Sequence, residues 1–398
     1  MGANESRRLS FGPLDGAAMV GFLAYASCVT AIPICLVAIT RDLGLSFSQA
    51  GGLEMTKGIL VLGTLLFSGF VAARFGKARS IGLACLVMGA GMFLYSFAPS
   101  YGALFLAVAL LGFGGGVIEA LINPLVQELH PEDSGRYLNL INAFWSIGVL
   151  LTMLGTGEAL TQLVSWRSVM MALGCFSLLS GALFLALKGA GGAVGRESEL
   201  ATVLAHKRRI LGLRRFWLFT ALMFLGGAAE GAFTYWSASL LQLEHGAGPR
   251  AAGVGVALFA AGMIVARLLW GWLVPQSRLW HLLLGSAVAG LAVGIVFPLT
   301  DALAPLYVNL FVAGLAMACF WPTLQSYAVD RMACDATSAF ILLSCGGIVG
   351  FASVSWTMGL IGDWVGLRAS FWIVPAYLSV MVGLLLWERR WAPVAADG

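Results

Sequence analysis

The feature that most constrains the fold of this chain is a series of twelve apolar stretches, each long enough to cross a bilayer as a helix. A helix crosses the hydrocarbon core of a bilayer in about 20 residues, whereas barrel strands alternate in polarity over about ten residues. These stretches are longer than barrel strands and do not alternate, so we predict an all-α membrane protein with twelve transmembrane helices. The predicted helices are 14–39, 50–73, 79–98, 102–127, 137–163, 167–188, 214–241, 250–274, 279–300, 303–328, 336–361 and 367–388.

The composition excludes a soluble protein. Of the 398 residues, 60% are hydrophobic and only 11% are charged, whereas a soluble domain of this size needs a polar surface. The net charge of +4 is small, so we attribute the basic residues to membrane topology and expect no nucleic-acid partner. The predicted location is the inner (plasma) membrane of the cell, with the lipid bilayer as the main partner and a monomeric state.

The distribution of Lys and Arg predicts the orientation in the membrane. Seventeen of the 23 lie in connections that are cytoplasmic if the N-terminus is cytoplasmic, four lie in the opposite connections, and two lie within helices. Cytoplasmic loops of membrane proteins carry an excess of Lys and Arg. Both termini are therefore expected on the cytoplasmic side.

The longest polar interruption divides the chain into two halves. It lies between the sixth and seventh predicted helices and contains the basic cluster at 206–209. We predict an N-terminal six-helix bundle at 1–188, a cytoplasmic linker at 189–213 and a C-terminal six-helix bundle at 214–398.

The two halves are weakly alike in sequence. One constant shift, which we call the repeat register, places Gly253 on Gly51, Gly271 on Gly69, Gly314 on Gly112 and Gly350 on Gly148. A register that holds over several helices indicates a tandem duplication with parallel halves. The substrate site of such proteins is expected between the halves, near the middle of the membrane.

The segment Gly69–Arg79, GFVAARFGKAR, resembles the motif that proteins of the major facilitator superfamily carry between their second and third helices. That motif has a glycine, an acid–Arg pair, then glycine and basic residues; Ala73 stands here at the position of the acid. The resemblance implies two six-helix bundles that work by alternating access. It also implies a gating role for five residues of this segment: Gly69, Arg74, Gly76, Lys77 and Arg79.

Shorter stretches are similar to the fucose-proton symporter group of that superfamily, which includes glucose transporters. EALINP, Glu119–Pro124, resembles the group's motif on the fourth helix, and LNLINAFWSIG, Leu138–Gly148, its motif on the fifth. FWPTLQS, Phe320–Ser326, and GGI, Gly346–Ile348, resemble its tenth and eleventh helices. In two departures, the first helix has no acid, and Trp145 replaces an asparagine. The similarity implies proton-coupled transport of a sugar.

Glu119 and Asn123 lie four residues apart and so share one face of the fourth helix. A charge in the bilayer core costs at least about 3 kcal/mol and usually faces the bundle interior or a wet cavity. Removal from water favours the neutral form of a carboxylate, so Glu119 is predicted to carry the coupling proton. The alternative is a structural hydrogen bond to a neighbouring helix, next to Pro124.

Glu230 is the corresponding acid of the second half, on the seventh helix. It shares a face with Thr234 and Ser237. The family's seventh helix often carries a glutamate among glycines, so the resemblance implies a second proton-coupling residue, with Thr234 beside it at the substrate. A purely structural role for Glu230 is the alternative.

The remaining predicted substrate residues follow from the repeat. Trp321 and Gln325 are the positions matched to Glu119 and Asn123. Indole faces stack on the C–H faces of sugar rings, and amides bind hydroxyls, within a mostly apolar site; packing is the alternative for Trp321. On the fifth helix and its repeat partner, the predicted substrate residues are Asn142, Trp145 and Ser344.

Three further charged residues lie within predicted helices. Glu54 and Lys57 are three apart and can neutralise each other; we interpret them as an outer gate or a structural pair. Arg267 lies deeper in the eighth helix. Its side chain either extends toward the cytoplasm or contacts an acid or the substrate.

The sequence shows no enzyme or cofactor motif. The seven cysteines form no CxxC, which argues against a disulfide framework or a metal site. A GxxxxGK[ST] nucleotide motif is absent from the sequence. We therefore expect no cofactor, and energy either from an ion gradient, of H+ or of Na+, or from the substrate's own gradient.

Together these patterns predict a secondary transporter that imports a monosaccharide or similar polyol with a proton. The alternative within transport is a proton-coupled drug or metabolite efflux antiporter, because membrane carboxylates also drive proton exchange. A membrane sensor that binds ligand without transport is the alternative from a different class.

Overall fold

The computed structural model of the protein describes residues 10–130, 134–187, 209–332, 334 and 336–390. Within them, twelve helical segments are long and apolar enough to cross a membrane, which confirms the predicted all-α architecture. The predicted linker lies outside the described residues up to position 208. The helices are α1 Pro13–Leu43, α2 Phe47–Phe75, α3 Lys77–Ser96, α4 Tyr101–Leu129, α5 Ser134–Thr161, α6 Trp166–Ala186, α7 Arg214–Leu243, α8 Pro249–Leu273, α9 Leu279–Leu299, α10 Leu303–Met317, α11 Pro322–Met332, α12 Ala336–Val365, α13 Leu367–Ser370 and α14 Ile373–Glu388.

The tenth span differs from the prediction of one continuous helix over 303–328. It is interrupted at 318–321, between α10 and α11. Pro322, the first residue of α11, has no N–H to donate and disfavours helical backbone at the residue before it. The interruption lies inside the bundle. Trp321 is its last residue, so this side chain is not carried by a regular helix.

Buried apolar side chains form two clusters, one for each half of the chain. The first is drawn entirely from residues 17–184. The second is drawn from residues 210–385, with four residues contributed by the first half. The outer faces of the helices instead expose large apolar side chains, as contact with lipid requires. Examples are Phe67, Leu151, Leu179, Leu268 and Val308.

The two halves meet where α2 packs against α12 and α5 against α8; we call these two contacts the seam. A Cβ at Gly51 in α2 would collide with the carbonyl oxygen of Ser355 in α12. A Cβ at Gly253 in α8 would lie 2.6 Å from the carbonyl oxygen of Met153 in α5. The repeat register matches Gly51 with Gly253 and Met153 with Ser355, so the two contacts of the seam are equivalent.

The same correspondence appears inside each half. A Cβ at Gly112 would lie 2.8 Å from the Lys57 carbonyl oxygen, where α4 packs against α2. A Cβ at Gly314 would collide with the Phe259 carbonyl oxygen, where α10 packs against α8. The repeat register matches both members of these pairs as well. Gly51 and Gly112, with their repeat partners Gly253 and Gly314, therefore mark positions where one helix backbone touches another, whereas Gly69 has nothing within 4 Å.

The seam closes one end of the bundle. The closed end carries the connection between α1 and α2 and the connection between α7 and α8, and there Phe47 lies against Gly359. At the opposite, open end, a cavity between the halves extends to Lys77 and Glu128. We use the names closed end and open end for these two faces.

Two equivalent hydrogen-bonding contacts join the halves at the closed end. The carboxylate of Asp363 accepts hydrogen bonds from the backbone N–H groups of Phe47 (2.7 Å) and Ser48 (2.9 Å), at the start of α2. In the repeat, the Thr161 hydroxyl oxygen accepts from the Arg250 N–H (3.0 Å) at the start of α8. Each half therefore caps a helix N-terminus of the other, and of these two caps only Asp363 carries a charge.

Replacement of Asp363 by Asn is expected to loosen the closed end. A carboxylate at a helix N-terminus stabilises it by ~0.3–1 kcal/mol, so the opening equilibrium should shift about two- to five-fold. The measurement is the labelling rate of a Ser355→Cys probe by a membrane-impermeant maleimide, in a protein without the native cysteines. Ser355 is fully buried in the seam, so the rate reports opening.

The matched control is Asp301→Asn. Asp301 is an exposed acid of the same end that pairs with Arg368 of its own half (2.6 Å). Its replacement should leave the labelling rate unchanged. Equal rates in the two variants would show that Asp363 does not hold the halves together.

Candidate functional site

A cavity of about 1120 Å³ lies between the halves and reaches the open end. Its lining comes from both halves, and its closed extremity is the seam. Most side chains that the sequence singled out are brought together here. The predicted residues that line the cavity are Gly69, Lys77, Glu119, Asn123, Trp145, Glu230, Thr234, Trp321, Gln325 and Ser344.

Glu119 is exposed to the cavity from α4. It forms no ion pair with any charged residue of the described ranges, and the hydroxyl of Tyr25 on α1 interacts with its carboxylate. The Tyr25 ring lies 4.8 Å from that of Trp145 on α5, centroid to centroid. An acid that is water-accessible and unpaired can gain or lose a proton without breaking a salt bridge.

Tyr25 was missed in the sequence. The segment around it contains no acid, and a tyrosine within an apolar helix is most simply a packing residue. The available signal was the aromatic ring among small residues, in AYASC at 24–28. Only the packing of α1 against α4 and α5 shows that its hydroxyl reaches Glu119.

Asn123 lines the cavity one helical turn from Glu119, as predicted from their spacing. The side-chain amide of Asn142 donates to the Asn123 side-chain oxygen (2.9 Å) and to the Leu138 carbonyl (2.7 Å). Asn142 itself is not among the residues that line the cavity. It holds the amide of Asn123 in one orientation instead of facing the ligand space directly.

The second half repeats this arrangement. The Gln325 amide donates to the Ser344 hydroxyl (2.7 Å) and to the Phe340 carbonyl (3.2 Å). The repeat register matches these three positions with Asn123, Asn142 and Leu138. Each half thus presents one amide side chain to the cavity. Asn123 accepts a hydrogen bond from Asn142, whose amide also donates to the Leu138 carbonyl, whereas Gln325 is itself the donor to Ser344 and to the Phe340 carbonyl.

Glu230 and Trp321 lie side by side on α7 and at the break before α11. Glu230 Oε2 and Trp321 Nε1 are both buried, and neither has a hydrogen-bond partner among the described residues. Unsatisfied buried polar atoms are costly. The two groups lie close enough to interact with each other, and both belong to residues that line the cavity.

The two halves place their indole rings differently. Trp321 occupies the position matched to Glu119, and it packs on Gly347, where a Cβ would lie 2.6 Å from the ring. In the first half, the position matched to Gly347 holds Trp145. The absent side chain at Gly347 therefore makes room for the indole that the second half supplies from another helix.

Three more charged residues line the cavity. Glu54 and Lys57 form an ion pair of 2.7 Å, and both side chains are nearly buried. They lie toward the seam, and the pairing predicted from their spacing is present. Arg267 on α8 lines the cavity beside Glu230, and its Nε donates to the Ala318 carbonyl (3.3 Å).

The segment predicted to act in gating lies at the open end. Gly76 has φ +80°, a left-handed backbone that favours glycine, and it separates α2 from α3. Lys77 pairs with Glu128 of α4 at the cavity mouth. Gly69 also lines the cavity, whereas Arg74 and Arg79 are exposed outside it.

The polar side chains that line the cavity can bind a ligand through hydrogen bonds and charge. Its polar lining consists of carboxylates, amides, hydroxyls, two indoles and basic side chains. Across the described ranges, no group of three or more His, Cys, Asp or Glu side chains is arranged to hold a metal ion. The seven cysteines are free thiols.

Replacement of Gly347 by Val is expected to displace Trp321, because the space beside Gly347 is filled by the indole. Overpacking of this kind costs ~1–3 kcal/mol. We expect a lower midpoint of thermal unfolding in detergent and a shifted Trp fluorescence maximum. The control is Gly285→Val on α9, where a Cβ would meet nothing within 4 Å; unchanged values in both variants would contradict the packing described.

Known relatives match mainly short parts of the chain. The puromycin resistance protein pur8 of Streptomyces alboniger is 32% identical over 35% of this chain and 28% of its own length. The sugar transporter ERD6-like 6 of Arabidopsis thaliana is 28% identical over 37% of this chain and 30% of its own length. The chain thus spans less than a third of either relative. An uncharacterised MFS-type transporter of Yersinia pestis is 23% identical over 84% of this chain and 85% of its own.

Solved structures of transporters share the fold over nearly the whole chain. The nucleoside transporter NupG has a TM-score of 0.80 at 14% identity, covering 96% of this chain and 99% of its own. A bacterial homologue of the lysosomal transporter Spinster, inward-facing and occupied, has 0.76 at 14%, covering 97% and 100%. The D-xylose-proton symporter has 0.74 at 15%, covering 94% and 96%.

The sequence model of the Major Facilitator Superfamily matches residues 17–334. The match covers more than half of the chain, from the first span to the end of the tenth, so the resemblance of the loop motif at Gly69–Arg79 is confirmed at the level of the superfamily. The fold, with twelve spans around a central cavity, agrees with it. The chain belongs to the major facilitator superfamily, a family of multi-pass membrane transporters.

Proposed function

We propose that the protein imports a monosaccharide or similar polyol together with a proton, across the inner membrane of the cell. In this proposal the open end faces the cytoplasm, in keeping with the excess of Lys and Arg there. The fucose-proton symporter and glucose transporter group is the proposed subgroup, on the motifs at Glu119–Pro124 and Leu138–Gly148.

The observation that carries the proposal is the composition of the cavity lining. Glu119 is accessible and forms no ion pair among the described residues. It lies beside Asn123, whose side chain is held in place by Asn142, and in the other half Gln325 is held by Ser344. Amides and carboxylates bind hydroxyl groups, and indoles cover the apolar face of a ring. A ligand with several hydroxyls on a compact ring matches these groups.

Glu119 is the proposed proton carrier. With the closed end opened, Glu119 takes a proton from outside water, and the neutral acid then binds ligand hydroxyls with Asn123 and Gln325 while Trp321 stacks on the ring. The halves then rock about the seam and expose the site to the cytoplasm. There the substrate and the proton leave, and Glu230 is the proposed second acid in this exchange.

The comparisons support the proposal at the level of chemistry. One relative is named a sugar transporter, and one protein of the same fold is a D-xylose-proton symporter. A third is named a nucleoside transporter, and nucleosides contain a sugar ring. A protein of this fold solved as inward-facing is consistent with an open end on the cytoplasmic side.

Proton-coupled efflux of a drug or metabolite is the second candidate. One relative is named a puromycin resistance protein and is 32% identical over its matched part. Coupling carboxylates serve exchange as well as symport. Sodium is the alternative coupling ion, because carboxylate and amide oxygens near Pro124 are hard ligands of the kind that such ions prefer.

The test of this function uses protein reconstituted in liposomes that contain a pH-sensitive dye. Sugars, polyols and amphipathic cations are added outside in turn, in sodium-free buffer. We expect internal acidification when a sugar is added. In Glu119→Gln the rate of acidification should fall about 5- to 150-fold, the factor that corresponds to typical coupling free energies. Glutamine keeps the shape and hydrogen bonding but cannot release a proton.

The matched control is Glu244→Gln, at the exposed end of α7. It should behave as the unmodified protein. Uptake in Glu119→Gln that keeps its rate and pH dependence would show that Glu119 is not the carrier. Proton movement with an amphipathic cation alone would favour efflux. Uptake that requires added sodium would show that the coupling ion is sodium and not the proton.

A further inference from the structure

The charges that line the cavity leave one cation unmatched. Lys77 pairs with Glu128 at the mouth, and Lys57 pairs with Glu54 near the seam. The remaining charged residues of the described lining are Glu119, Glu230 and Arg267. When Glu119 and Glu230 are both neutral, the charges of the described lining sum to a single positive charge.

Arg267 is placed to contact a ligand. It lies within α8, where a charge away from water is a functional-site hypothesis by default, and its residue surface is exposed to the cavity. The Nε atom donates to the Ala318 carbonyl at the end of α10, which orients the guanidinium. No carboxylate of the described residues forms an ion pair with it, so its terminal nitrogens keep their donors.

A second observation points to a ligand at the same place. The Trp321 Nε1 donor and the Glu230 Oε2 acceptor are buried without partners among the described residues, and both belong to the lining. Glu230 lies next to Arg267 as well as next to Trp321. An indole N–H and a guanidinium are donors only, so together they are suited to an anionic oxygen.

We propose that Arg267 and Trp321 bind the carboxylate of a sugar acid, so that the substrate is a polyol with one negative charge. The inference rests on the proposed function and narrows its substrate class. Arginine recognises carboxylates through two parallel hydrogen bonds. A phosphate ester carries nearly two charges at neutral pH, and the cavity offers one unmatched cation.

This assignment explains why the proton and the substrate travel together. A charged Glu230 beside Arg267 would repel the ligand carboxylate, whereas neutral Glu230 can donate a hydrogen bond to it. Binding of the acid and protonation of Glu230 therefore favour each other. Raising the pH removes that proton, so the affinity for the acid should fall.

The titratable side chains that line the cavity together with Glu230 come from several helices. They are Arg267 on α8, Tyr235 on α7, Glu119 and Tyr25 in the first half, the Glu54–Lys57 pair on α2, and the Lys77–Glu128 pair at the mouth. The part of α12 that lines the cavity, from Phe340 to Ala352, contributes no acidic or basic side chain. The pH effect expected here thus has two acids as its source, Glu230 and Glu119.

The test compares matched ligands that differ only at C6, where the acid has a carboxylate and the neutral sugar a hydroxymethyl group. Dissociation constants of D-glucuronate and D-glucose, and of D-galacturonate and D-galactose, are measured on the purified full-length protein by calorimetry. We expect the acid of a pair to bind at least about ten-fold more tightly than the neutral sugar, as for a hydrogen bond to a charged group. Arg267→Gln should remove that difference and leave the neutral sugar nearly unaffected.

Three further variants distinguish the loss of an anion site from a general loss of folding. Arg267→Lys keeps the charge without the paired geometry and should retain part of the preference. Glu230→Gln should bind the acid with a weaker dependence on pH between about 5 and 8. Arg278→Gln, which removes an arginine of the 3-10 turn Gln276–Arg278 outside the lining, is the control and should match the unmodified protein.

The outcomes separate this inference from the proposed function. If the unmodified protein prefers the neutral sugars, or if Arg267→Gln weakens both ligands of a pair equally, the anionic site is wrong while sugar transport stands. If neither acids nor sugars bind and an amphipathic cation does, both proposals fail. Retention of the acid preference in Arg267→Gln would also overturn the assignment.

Discussion

The whole arrangement depends on direct contact between helix backbones at positions without a side chain. In a bilayer, apolar burial does not drive helices together, so association relies on close packing, which small residues permit. Gly51 and Gly253 bring the halves into contact at one end only, through equivalent carbonyl groups of Ser355 and Met153. Because two rigid bundles that meet at one end diverge at the other, the cavity and its opening follow from where these glycines lie.

The second organising constraint is the cost of charge away from water. Four charged residues of the described cavity lining meet it by pairing: Glu54 with Lys57 on one helix, and Lys77 with Glu128 between helices. Charges left unpaired are then informative, because a buried or half-buried group is retained at a cost of stability. The three that remain lie together around the ligand space, on α4, α7 and α8.

The sequence was sufficient for features that depend on one helix at a time. Helix number follows from apolar length, and the shared face of Glu119 and Asn123 follows from their spacing. The repeat register also matched Gln325 with Asn123. Contacts between helices were not accessible, because they depend on crossing angles: the contact of Tyr25 with Glu119 and the capping of α2 by Asp363 needed the packed structure. Local chemistry at Pro322 was visible, yet the helix break there was not predicted.

The different placement of the two indoles has a consequence for the direction in which a ligand lies. The two halves make matched helix contacts, but Glu119 and Trp321 occupy matched positions, as do Trp145 and Gly347. The halves therefore differ in side chain at these two pairs of matched positions. A ligand whose two ends differ therefore meets a different surface at each end, and the pocket can favour one orientation of the ligand over the reverse.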